Sequence, residues 1–339
     1  MSYFARQLGD APAKPEIDTS QKSAAGVEDA IAGFETAYLH GTIAYLLRKK
    51  DDENGGVVRL PREVEIANRA VGGLADTACE YAGKEYLYVS GSEGAAILEE
   101  AKGYASERLG DIKEKARSFS QQDPEGIQAV QDALSQFSTT LQYRMPMDQS
   151  DQDLLDLKSY VAEEYWDEEL ARMFRKNVVN QIPNALAVHY NLSVFLGAQM
   201  QAYREIVETT WKSIYTAFAT TVDAYFVLAE ESAPSKSITY AQLTGLVGPA
   251  LKSAFESLTT VVDIAKEGAT VLSSSQTDAP VSGSTSADLR EDFLAALNEM
   301  VSSAETHFEA LKTEIAAMSA SLEEMGLHEL SLPSIDSVF

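Results

Sequence analysis

The stretch LREDFLAALNEMVSSAETHFEALKTEIAAMSASLEEM, residues 289–325, decides the fold class. Within it Leu289, Phe293, Leu297, Met300, Ala304, Phe308, Leu311, Ile315, Met318, Leu322 and Met325 follow one another at steps of three or four residues. That spacing draws one apolar stripe along a helix that packs lengthwise against other helices. Thr285 and Asp288 stand where an N-cap pair opens such a helix, and Gly326 where one stops.

The same spacing recurs outward from this segment. Val27, Ala30, Ile31, Phe34, Tyr38, Leu46 and Leu47 predict a helix closed by Lys49 and Lys50. Val64, Ala67, Val71, Leu74 and Ala78 mark another, and Ile97, Ala101, Ala105, Leu109, Ile112, Ala116 and Phe119 a third. Asp123-Pro124 restarts the chain as N-cap and first helical residue, ahead of Ile127, Val130, Leu134, Phe137 and Leu141. A segment acidic at its start and closed by Arg172, Arg175 and Lys176 suits the helix dipole. Pro183 to about Glu231 reads as a single helix of roughly 70 Å, at about 1.5 Å per residue. A further seam runs through Leu243, Val247, Leu251, Phe255, Leu258, Val262 and Ala265.

Two short runs depart from the helical period. Val57-Val58-Arg59-Leu60 and Glu85-Tyr86-Leu87-Tyr88-Val89 read as strands. The expected fold is therefore all-α: an elongated bundle of long antiparallel helices with heptad-like seams, with a small two-stranded β element near 57–60 and 85–89. Residues 1–25 read as an N-terminal arm and 26–272 as the main bundle. Residues 273–287 form a Ser/Thr/Gly-rich linker, 288–326 a long C-terminal helix on the bundle, and 327–339 a tail.

Of the 339 residues 45% are hydrophobic and 23% charged, ordinary values that exclude disorder of the whole chain. The formal net charge of −25 is the outlier. Nucleic-acid binding needs a basic footprint to displace counterions from phosphates, and no Lys/Arg stripe is present, so no direct sequence-specific nucleic-acid binding is expected. An anionic bilayer surface repels such a chain for the same reason, and self-repulsion keeps it in solution. Cys79 stands alone, which rules out an intramolecular disulfide and a multi-cysteine metal site. Met1-Ser2-Tyr3-Phe4-Ala5-Arg6 lacks the apolar core of a signal peptide, and no apolar run is long enough for a transmembrane helix. Synthesis in the cytosol is the expectation, with assembly into a particle or export by a non-classical route.

No catalytic constellation is legible. His40, His189, His307 and His328 lack the Glu-x-x-His or His-x-x-x-His spacing of a helical metal site, and Glu305 and His307 point in different directions along a helix. Asp148, Asp151, Asp153, Asp156, Glu163, Glu164, Asp167, Glu168 and Glu169 read as a solvated helix face. Asp51-Asp52-Glu53-Asn54-Gly55-Gly56 lacks calcium-loop spacing, with Arg62 at the closing position. Neither a nucleophile elbow nor a P-loop occurs. The expectation is no catalytic residue, no metal and no cofactor.

Trp166, Tyr203, Trp211, Tyr215, Phe218, Tyr225 and Phe226 form an aromatic set at helical spacing, which is core or, where exposed, an anchor for a protein contact. Trp166, Tyr203, Trp211, Tyr215, Phe226 and the terminal Phe339 are the candidate interface residues. Long seams, an arm and an apolar-tipped tail predict a non-enzymatic, self-assembling homo-oligomer such as a coat, filament or capsid-type subunit. Over residues 26–326 the expected architecture, long helices with a small strand pair at one end, also resembles the α-helical pore-forming toxins. That resemblance is one of architecture and implies lipid contact. The most apolar stretch, Tyr240 to Leu272, is interrupted by Lys252, Glu256, Asp263, Lys266 and Glu267. It suits peripheral membrane contact as an amphipathic helix rather than a bare span.

Overall fold

The computed structural model describes residues 12–53, 91–119, 124–144, 156, 159–160, 169–179, 182–230, 235–247 and 271–324. The protein is mostly helical, with one small antiparallel sheet. In chain order the helices are α1 (Val27–Glu53), α2 (Gly91–Arg108), α3 (Gly110–Phe119), α4 (Pro124–Arg144), α5 (Glu169–Phe174), α6 (Ile182–Glu230) and α7 (Ser286–Glu324). A π-helical turn, Arg175–Val179, follows α5. Strands β1 (Ser235–Val247) and β2 (Val271–Ser282) fall between α6 and α7.

The chain divides into two compact units. The first comprises residues 1–123, 207–242 and 274–304, and the second 124–206, 243–273 and 305–339.

The core of the first unit is aromatic. Phe34 and Tyr38 of α1 meet Phe218 and Tyr225 of α6 and Phe293 of α7 at ring-centroid distances of 4.8–5.7 Å. All five rings are sealed from solvent. Edge-on contacts between such rings add to what burial alone contributes. Ile43, Leu46 and Leu47 close the other end of α1 against Ile97 and Ala101 of α2. On α3, Ile112, Ala116 and Phe119 turn inward at the four- and three-residue steps of an amphipathic helix. Its outward cations reach back to α1: Lys113 meets Glu35 at 2.9 Å, and Arg117 holds Glu28 through two bonds of 2.8 Å. That fork keeps the Glu28 carboxyl below its usual range.

The described part of the stripe, Leu289 to Met318, is the buried face of α7. Leu289, Phe293, Leu297, Met300, Ala304, Leu311 and Met318 are buried, with Phe308 and Ile315 half-buried. Thr285 and Asp288 cap the helix reciprocally, each backbone N–H donating to the other's side chain at 3.1 Å.

The described strands lie where the sequence reading places other elements. Val57–Leu60 and Glu85–Val89 lie outside the described residues, as does the helix expected over 64–78. The observed sheet instead takes Tyr240 to Val247, expected as the start of a helix, and residues 273–282, expected as linker. Ahead of Leu243 the chain alternates with period two: Ser237 and Thr239 are exposed, Ile238 and Tyr240 buried. Alternation in a β-branched run just after Pro234 outweighs a helical spacing that begins only at Leu243. Residues 273–282 form a strand despite their Ser/Thr content because β1 satisfies their backbone and Val281, fully buried, anchors the end.

Candidate functional site

The described part of the N-terminal arm is a strap. Asp18 turns the chain by accepting from the Ser20 backbone N–H at 2.9 Å, the Ser20 hydroxyl at 2.6 Å and the Gln21 amide at 2.8 Å. This Asx-type turn leads through a short 3-10 helix, Ala24–Gly26, into α1. Upstream of the turn, residues 12–17 lie along α1 and α6. Lys14 pairs with Asp223 at 2.6 Å and Lys22 with Glu208 at 2.8 Å. Those two acids are about 22 Å apart along α6, so the strap covers roughly four turns of that helix.

Its seat on α1 is a glycine. A Cβ on Gly33 would stand 3.0 Å from the Ile17 Cδ1 and 3.1 Å from the Pro15 Cβ. The Tyr215 hydroxyl of α6 donates to the Ser23 carbonyl at 2.8 Å and fixes the end of the strap. Burial pushes the Tyr215 phenol up to about 12, helped by the nearby Asp18 and Asp29 charges. Beneath the strap a cavity of about 150 Å³ is lined by Glu16, Asp18, Gln21, Asp29 and Tyr215 among others.

The second arrangement is the root of the β1–β2 ribbon. Ile238 and Tyr240 on β1 and Val281 on β2 turn inward, while Lys236, Thr239, Gln276 and Asp278 face outward. Across the outer face Thr239 donates to Asp278 at 2.6 Å. The Ser282 backbone N–H donates to Asp292 of α7 at 3.0 Å, and Tyr225 of α6 donates to the Ser286 carbonyl at 3.0 Å. Burial, and after it the Glu299 carboxylate of α7, raise the Tyr240 phenol far above its ordinary value. The ribbon is thus bonded at its base to α7, and α7 in turn to α6.

In the second unit Tyr203 of α6 packs on Phe308 of α7 with centroids 4.7 Å apart. Gln199 donates to Glu314 at 3.0 Å. Val188 and Phe195 meet Met318, and Tyr190 meets Leu141 of α4. On α4 the seam read from sequence is only partly covered: Ile127 and Leu141 are buried, but Val130 and Phe137 are each 49% exposed.

The expected interface residues separate by burial. Trp211 and Tyr215 are core residues, stacked on each other at 5.6 Å with Phe119 against Trp211, so they are set aside as surface anchors. Tyr203 is half-buried on Phe308, and Phe226 half-buried on the His40 ring at 4.6 Å. Trp166 and Phe339 lie outside the described residues. Among the described residues the exposed large apolar side chains are Val130, Phe137, Tyr160 and Met173. None of these was singled out as an interface candidate, because a seam position reads the same whether or not a neighbouring helix covers it.

Among the described residues no group of three or more His, Cys, Asp or Glu side chains is placed to hold a metal ion. No described helix is long and apolar enough to cross a membrane. Of the acidic run at 148–169, only Asp156 and Glu169 are described, and Glu169 is held by Arg172 one turn on. Comparison with protein-family models, curated proteins and solved structures finds no match.

Proposed function

We propose that the chain is a non-enzymatic helical protein that assembles on a lipid surface, as a component of the α-helical pore-forming kind. The observation that carries this reading is the β1–β2 ribbon, which falls between α6 and α7 in the chain and is bonded at its root to α7 through Ser282 and Asp292, beside the Tyr225–Ser286 bond that ties α6 to α7. Residues 248–270, which join its strands, contain Leu251, Phe255, Leu258, Val261, Val262 and Ile264. Their charges, from Lys252, Glu256, Asp263, Lys266 and Glu267, nearly cancel, in a chain whose net charge is −25. A near-neutral apolar segment on a strongly acidic protein is the part best suited to leave water for a lipid surface, while the acidic remainder stays hydrated. The helical units supply long faces for contact between copies. The test is co-flotation with zwitterionic vesicles, comparing the native chain with Leu251→Asp/Phe255→Asp; vesicle binding that survives this change would oppose the assignment.

The coat, filament or capsid-type reading keeps one observation of its own, the half-exposed Val130 and Phe137 on α4. Between Pro124 and Arg144 the only charged residues are Glu125, Asp132 and Arg144. A nearly uncharged face is where two copies of an acidic chain meet with least repulsion. Assembly of the native chain into a defined particle without lipid would favour this second reading.

A further inference from the structure

We propose that the α1–α6 groove occupied by the strap also receives the strap of a second copy, so that assembled copies exchange arms. The inference rests on the assembly reading and gives it a mechanism.

Among the described residues the contacts that seat the strap join residues 14–23 to α1 and α6, and a second chain can supply them unchanged. Such an exchange replaces an internal contact by an identical external one and needs only a hinge that opens. The hinge is the short 3-10 helix Ala24–Gly26, which has no buried residue and whose cap bond, from the Ala25 N–H to the Ser23 hydroxyl, lies on the exposed surface. Water replaces such bonds at little cost.

The strap itself is loosely held. The Lys14 and Lys22 side chains are 53% and 62% exposed in their ion pairs, and exposed pairs contribute little. Pro15 and Ile17 are half-buried, so no side chain of the strap must be pulled from a sealed core.

The groove is nevertheless specific. It offers Asp223 and Glu208 at the spacing of Lys14 and Lys22, and a glycine where Pro15 and Ile17 cross α1. An incoming segment needs two cations eight positions apart and a small apolar pair next to the first. The strap of another copy meets all three requirements. In a chain of net charge −25 these lysines also place positive charge against a neighbour's acids, which opposes the repulsion between copies.

The close approach at Gly33 provides the test. Its Cβ would stand 3.1 Å from that of Pro15, a few tenths of an ångström inside the roughly 3.5–4.5 Å a disulfide spans, which a small shift of the exposed strap supplies. In a Cys79→Ser background, chains carrying only Pro15→Cys are mixed with differently tagged chains carrying only Gly33→Cys. The mixture is oxidised in buffer and with zwitterionic vesicles, then resolved on a non-reducing gel. A double variant, Pro15→Cys/Gly33→Cys, oxidised at high dilution, reports whether the seat closes within one chain. The expected result is internal closure of the double variant, and a covalent heterodimer at twice the chain mass that becomes a major species in the mixture. A double variant that closes internally beside a mixture that stays monomeric in both conditions would overturn the exchange. Failure of the double variant to close would overturn the seat itself. If the mixture floats with vesicles yet forms no heterodimer, arm exchange falls while the lipid reading stands.

Discussion

The Tyr225 hydroxyl donates to the Ser286 carbonyl at 3.0 Å in a position sealed from solvent. That bond ties α6, close to its end, to the first residue of α7, with the whole ribbon between them in the chain. Tyr225→Phe keeps the ring against Phe34 and Tyr38 and removes only the hydroxyl. The buried carbonyl then loses this donor, which costs about 1–2 kcal/mol. Urea unfolding should show the loss, and amide exchange over 235–242 and 274–282 should accelerate. Unchanged exchange in the ribbon would separate this bond from the ribbon's anchoring.

At Gly41 α1 approaches α6 closely. A Cβ there would stand 2.8 Å from the Tyr225 Cδ1 and 3.2 Å from its carbonyl oxygen. Helix propensity alone predicts that Gly41→Ala stabilises α1 by up to about 1 kcal/mol. The close approach predicts the opposite, a net loss of about 1–3 kcal/mol from overpacking. The sign of the change in unfolding midpoint decides between them.

His40 gives the fold a pH dependence. Buried on α1 against Phe226, its imidazole is pushed down to about 4 by desolvation, from an ordinary value near 6.5. The unfolded chain therefore binds the proton more readily than the folded one. Stability contributed by the neutral ring is complete above about pH 6.5 and falls as pH drops towards 4, by up to about 3 kcal/mol. Chemical denaturation of the native chain and of His40→Gln between pH 4 and 7 should show a shallower slope for the variant. Equal slopes would remove His40 as the source.

Much of the helical framework was legible because its physics is local and periodic. The stripe from Leu289 to Met318 is buried as read, and Thr285 and Asp288 cap as their spacing implies. Pro124 begins α4 as read, and the long helix read from Pro183 is α6. The ribbon was missed because its evidence conflicts: Leu243 and Val247 satisfy a helical step, while Ile238 and Tyr240 satisfy a strand step. Ser/Thr-rich residues 273–282 look like linker until a partner strand completes their hydrogen bonds. The strap was unreadable for a related reason. Pro15, Ile17 and the two lysines have no periodicity, and their meaning comes from Gly33, Glu208 and Asp223, far off in sequence. The aromatic set was ambiguous in principle, because Trp211 in the core and Tyr203 at half burial share the same spacing.

Trp211 and Phe293 test the core directly. Both are fully buried, and truncation to alanine should cost about 3–5 kcal/mol each. By contrast, Val130→Ser/Phe137→Ser on the exposed stripe of α4 should leave stability within about 0.5 kcal/mol. If α4 carries a contact between copies, the same double variant lowers the mass of the assembled species. An assembled mass unaffected by it would take α4 out of the interface.

Assembly on a lipid surface shows in the mass of the full-length protein by light scattering, with and without phosphatidylcholine vesicles. Zwitterionic lipid avoids repulsion from the net charge of −25. The expected result is the 36.8 kDa chain in buffer and a large, vesicle-bound species once lipid is added. A mass unchanged by lipid, whether 36.8 kDa or that of a defined particle already present in buffer, would contradict it.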